Sequence, residues 1–119
     1  MQKFRKLQVW QKSMDFITHI YIVTKKYPPD ELFSITNQIR RAAVSIALNI
    51  AEGSGSGSDK EFSRFLRIAI RSGYEVIAGL EIGIRLNYGE KDENEQLILE
   101  VNEIGAMITG LIKKLKSDS

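Results

Sequence analysis

Residues 38–53, QIRRAAVSIALNIAEG, restrict the fold more than any other stretch of the chain. At about 100° per residue of a helix, Gln38, Arg41, Ser45, Asn49 and Glu52 fall within roughly 80° of one another. Ile39, Ala42, Ala43, Ile46 and Ile50 fill one arc, and Val44, Ala47, Leu48 and Ala51 fill others. A helix that is apolar nearly all round must be covered by more than one neighbour. The narrow polar stripe then reads as a paired internal seam or part of a subunit interface. Several helices packed together are the expected setting.

The remaining stretches have helical periods of their own. Trp10, Met14, Ile17, Tyr21 and Thr24 mark a stripe, widened by Phe16, Ile20 and Val23, on a first helix of about residues 6–26. Tyr27-Pro28-Pro29 ends it, because proline removes the ladder donor and restricts the residue before it. Ser34 is a candidate N-cap for a second helix over 34–53. The alternating glycines and serines of 53–58 read as a flexible, mobile connector. Ser58 with Glu61 forms a capping box for a third helix over 59–87. Its apolar side carries Phe62, Phe65, Leu66, Ala69, Gly73, Val76, Ile77, Leu80 and Ile84. Gly73, Gly79 and Gly83 imply a bend or close packing. After the Asn87-Tyr88-Gly89 stop, Leu97, Val101, Ile104, Ile108, Leu111 and Leu115 give the seam of a fourth helix over 92–116. The fold class is all-α: one antiparallel, up-down-up-down four-helix bundle spanning 1–119.

Composition narrows the function classes. The chain lacks cysteine, which removes disulfides and thiolate metal sites. No stretch has the run of roughly 18 apolar residues that crosses a bilayer, and the N-terminus lacks a signal-like apolar core. A soluble, cytoplasmic protein without membrane association is expected. The formal charge of +2 conceals a split: residues 1–71 balance at +6 and residues 72–112 at −6. Such polarity steers an anionic partner, or lets one subunit's basic face meet another's acidic one.

A reaction centre is hard to assemble from this inventory. His19 is the single histidine, and Glu52, Glu75 and Glu81 have no ligand partners in sequence. No enzyme activity, cofactor or metal is expected. Lys60, Arg64, Arg67 and Arg71 instead lie within roughly 60° on the third helix, a row spaced to follow phosphates. Arg40 is a second candidate, and the Lys3/Arg5/Lys6 cluster would join the row if it shared its face. The plain alternative is a solvated face with a local Arg71–Glu75 pair. The polar stripe reads as a register-fixing network in which Arg41 meets Glu75, with Ser72 one turn before it.

LQVWQKSMDF, YPPDELFSITNQIRRAAVSIALNIAEGSG and SDKEFSRFLRIAIRSGYEV together resemble the 23S rRNA intervening-sequence proteins of bacteria, a ribosomal-protein-like family of unknown function. The resemblance covers nearly the whole chain, and the Q-x-R-R-A…S-I…N-I-A-E-G run is its most specific part. Three positions depart from the pattern. Ala47 stands where proline is usual and should straighten the second helix, Ser56 replaces a basic loop residue, and Arg71 replaces a glycine. The resemblance implies a homo-oligomer, a pentamer in the family, with RNA or DNA as a partner. A related bundle serves as accessory protein to the reverse transcriptase of diversity-generating retroelements, so a protein partner of that kind is also implied. The rival to nucleic-acid binding is a scaffold whose ridge packs against Glu93, Glu100 or Glu103 of another subunit.

Overall fold

A computed structural model describes residues 2–118. Four helices account for most of them: α1 (Gln8–Thr24), α2 (Asn37–Ser54), α3 (Asp59–Arg85) and α4 (Lys91–Asp118). Each packs on its neighbours in sequence, and α1 closes the ring against α4. The result is an antiparallel four-helix bundle of 46 × 22 × 19 Å, with no strand among the described residues.

The core forms where the apolar periods converge. Phe16, Ile20, Ile39, Ile46, Ile50, Leu66, Val76, Leu80, Leu97, Ile104 and Ile108 are nearly or fully removed from solvent. On α1 the buried line is rotated from the expected one: Val9, Ser13, Phe16, Ile20 and Val23 face inward, while Met14 and Tyr21 are exposed. Ser13 can occupy this line because its hydroxyl donates to the Val9 carbonyl at 2.7 Å. A polar side chain that satisfies itself on its own helix is not excluded from a core.

The helix ends differ from expectation at two places. Ser34 does not cap α2, since a short irregular turn over Leu32–Thr36 intervenes and Phe33 and Ser34 depart from helical geometry. Helix α2 then starts at Asn37 without a side-chain cap and runs unbroken through Ala47 to Ser54. The connector is also shorter than expected. Gly53 and Ser54 belong to α2, and Gly53 is buried. A Cβ there would lie 2.8 Å from the Phe65 Cβ and 3.2 Å from the Phe62 carbonyl oxygen. This glycine admits α3, and chain flexibility is not its reason. Ser56 ties the connector back, donating to the Gly53 carbonyl at 2.7 Å.

Ser58 accepts from the Glu61 amide at 3.1 Å, which is one half of the capping box; the Glu61 carboxylate instead receives Arg64. At the other end of α3, Asn87 takes a left-handed φ of 60°. The Tyr88 amide donates to Gly83 and the Asn87 amide to Ile84, the pattern of a Schellman stop. Close packing accounts for two helix glycines: Gly79 lies under Ile39, and Gly83 under Tyr27.

Tyr27 plugs this end of the bundle. It is buried, and its hydroxyl donates to Asn94 Oδ1 at 2.7 Å. Asn94, itself fully buried, donates to the Tyr88 carbonyl at 2.8 Å. Burial pushes the Tyr27 phenol up to about 12, which keeps it protonated as the donor this arrangement needs.

Candidate nucleic-acid interface

The α3 row stands in solvent. Lys60, Arg64, Arg67 and Arg71 are all exposed. Arg64 is steadied from its own helix: its Nε lies 3.2 Å from Glu61 Oε1, and its guanidinium stacks 4.5 Å above the Phe65 ring. The hydrogen bond from Arg64 holds the Glu61 carboxyl below its ordinary range. Lys60, Arg67 and Arg71 have no hydrogen bond or ion pair among the described residues. The expected Arg71–Glu75 pair does not form. A row of exposed cations along one helix face, three of the four unpaired, can neutralise phosphates and carries no base-reading geometry of its own.

Arg40 lies elsewhere. Its Nε donates to Thr24 Oγ1 at 3.0 Å and its guanidinium covers the Tyr21 ring at 4.5 Å, so it closes the seam between α1 and α2. Lys3, Arg5 and Lys6 are exposed on a single 3₁₀ turn that packs on α1 and α2.

Within the single chain the polar stripe of α2 lies at the surface, which overturns the internal seam, one of its two expected settings, and leaves the subunit interface. Gln38, Arg41 and Glu52 are exposed, and Ser45 and Asn49 are half-buried. The physical reason is solvation: guanidinium and carboxylate keep their water, and only hydroxyls and an amide that pair locally reach inward. Ser45 shares a 2.9 Å hydrogen bond with the buried Ser72 of α3, and Asn49 Nδ2 donates to Ser45 Oγ at 3.0 Å. Arg41 and exposed Glu75 do not pair with each other; both line a groove of about 480 Å³ between α2 and α3, with Gln38, Ser45 and Ser72. Glu52 lines no part of that groove.

Two members of the groove escaped sequence reasoning. Phe33 is 91% exposed at its edge, and Asn37 opens α2 beside it. No periodic signal marks a side chain carried by an irregular turn such as that of Phe33.

The opposite side of the bundle contrasts with this one. Lys12 meets Glu103 at 2.7 Å, His19 meets Glu100 at 2.9 Å, and Lys26 meets Glu93 at 2.8 Å. The first two join α1 to α4 and the third joins the turn after α1 to α4, all within one chain. The hydrogen bond to Glu103 raises the ammonium pKa of Lys12, and that to Glu93 raises the pKa of Lys26, with the nearby carboxylate charge adding to each. The acidic residues that the scaffold reading assigned to another subunit's ridge therefore already have partners. No helix among the described residues is long and apolar enough to cross a membrane.

Comparison with known proteins follows the same lines. The sequence profile described as "23S rRNA-intervening sequence protein" matches residues 5–110. A crystal structure of a protein of unknown function from the S23 ribosomal protein family, from Bacteroides thetaiotaomicron VPI-5482, superposes with a TM-score of 0.81. The two share 29% identity over 88% of this chain and 98% of that one. A search of curated proteins gave no significant match.

Proposed function

Since the chain belongs to the 23S rRNA-intervening sequence protein family, we propose that it is a non-enzymatic, cytoplasmic, homo-oligomeric bundle that binds RNA or DNA through backbone contacts. One observation carries this reading. Lys60, Arg67 and Arg71 are exposed and unpaired on α3, while Lys12 and Lys26, which face α4, are already paired with Glu103 and Glu93. The family name and that of the structural neighbour make ribosomal RNA the first ligand to try. Binding is salt-sensitive and weak in sequence preference, as expected of phosphate contacts. An anisotropy titration against structured rRNA fragments at low and raised salt tests it. Absence of binding at low salt, or unchanged affinity in Arg64→Ala/Arg67→Ala/Arg71→Ala, refutes it.

A second reading, a scaffold or accessory subunit for a protein such as a reverse transcriptase, has its own support. Between α3 and α4 lies a small groove of about 170 Å³ lined by Ile70, Gly73, Tyr74 and Ile77, and Tyr74 is 66% exposed. Apolar surface of this kind suits a second copy, the pentamer the family resemblance implies, or a partner protein. The native mass separates them: a discrete oligomer supports assembly there, and a monomer leaves the groove for another protein.

A further inference from the structure

The groove between α2 and α3 has free hydrogen-bonding groups of several kinds beside a free aromatic face. Asn37, Gln38, Arg41 and Glu75 have no side-chain partner among the described residues, although all four line one space. The space, about 480 Å³, falls within the range of small-ligand sites. Phe33 presents its ring to solvent at the edge. Helical geometry also sets Glu75 within roughly 40° of Arg71, so the groove continues the basic row of α3.

The lining discriminates among ligands. A simple anion would suit Arg41 and be repelled by Glu75. An apolar partner would strand four polar side chains. A nucleotide satisfies all of them: the π-face of its base stacks on an aromatic ring, the base edge takes amide and carboxylate bonds, and its phosphate meets a guanidinium. A carboxylate accepts two adjacent N–H groups best, and among the common bases guanine presents such a pair on its Watson–Crick edge.

We propose that this groove takes one unstacked nucleobase of a single strand, guanine in preference, while the adjoining phosphates run along Lys60, Arg64, Arg67 and Arg71. Phe33 is the stacking platform, Glu75 the base-edge acceptor, and Arg41 the phosphate contact next to the base. The inference rests on the nucleic-acid reading above and adds a base site to it.

Three labelled 12-nucleotide strands test it by anisotropy: one central guanine in an otherwise abasic ribose-phosphate backbone, the same backbone with a central uridine, and the backbone abasic throughout. The guanine strand should bind about tenfold tighter than the abasic one. Phe33→Ala should bring those two to one affinity with an unchanged melting temperature, because the ring is in solvent. Glu75→Gln should bring guanine and uridine strands together while both still exceed the abasic one. Arg64→Ala/Arg67→Ala/Arg71→Ala should weaken all three in proportion. Equal wild-type affinity for guanine and abasic strands overturns the base site while phosphate binding stands. Equal affinity for guanine and uridine strands overturns the guanine preference. If no strand binds at low salt, the nucleic-acid reading itself fails. A loss of native mass in Phe33→Ala makes the groove a contact between copies and overturns the site.

Discussion

The α2–α3 seam and the α1–α4 seam join helices of the same bundle by different means. Along α2–α3, Gly53 and Gly79 allow close approach, and half-buried Ser45 bonds buried Ser72 between the helices. Along α1 and the turn after it, long side chains reach across the surface to α4: Lys12 and Lys26 pair charge with charge, and His19 shares a hydrogen bond with Glu100. The first seam holds through contacts that need no ions and leaves its cations free for an outside partner. The second consumes its ions within the chain. Net charge by halves, which the two readings of the sequence share equally, therefore misstates where positive charge is available.

Substitutions can break this contrast, and the largest effect belongs to the glycine seam. Gly53→Ala should lower stability by about 2–3 kcal/mol in a denaturant titration, since the Phe62 carbonyl is backbone and the Phe65 Cβ has little room to yield. Gly73→Ala is the control: its nearest neighbour, Val101 Cγ2, lies at 3.5 Å, so helix propensity should leave it neutral or up to about 1 kcal/mol more stable. A severe loss at Gly73 would remove close approach as the explanation.

Tyr27→Phe comes next. It leaves buried Asn94 Oδ1 without its donor, a loss of about 1–2 kcal/mol. The same residue adds a pH dependence. Its folded pKa, about 12, lies above the ordinary 10.0, so its contribution is fully present below about pH 10 and is lost as pH rises toward 12. Tyr27→Phe should flatten that part of the stability curve, measured by melting at stepped alkaline pH. For the ridge, removing Arg64, Arg67 and Arg71 should cut the log–log salt slope of single-strand binding by about two units, since each phosphate contact contributes about 0.7. Folding stability should barely change.

The smallest effect is expected at the ion pairs. Lys12→Ala and Lys26→Ala should each leave the denaturation midpoint nearly unchanged, because the pairs are solvent-exposed and screened. Their RNA affinity should stay within about twofold of wild type. A large loss of binding on this side would erase the distinction between the two seams.

The bundle was legible because each helix has its own period and its own stop. Tyr27-Pro28, Ser58 and Asn87 all mark chain reversals that the structure contains. The errors share one cause. Ser13, Ser34 and Gly53 are small residues, and their roles depend on what lies opposite them in space. Arg41 and Glu52 fit a polar stripe equally well in a buried seam or on a surface, and only the position of α3 decides between these. Phe33 left no trace in the pattern, since an irregular turn imposes no spacing.

The four-residue connector over 55–58 has a kinetic consequence. It joins two helices that approach closely at Gly53, so their pairing closes a short loop and meets little entropic opposition. An α2–α3 hairpin is thus the natural folding nucleus, with α1 docking afterwards from a sequence-distant position. Conservative truncations such as Ile39→Val or Leu66→Ala should slow refolding, whereas Val9→Ala should mainly hasten unfolding.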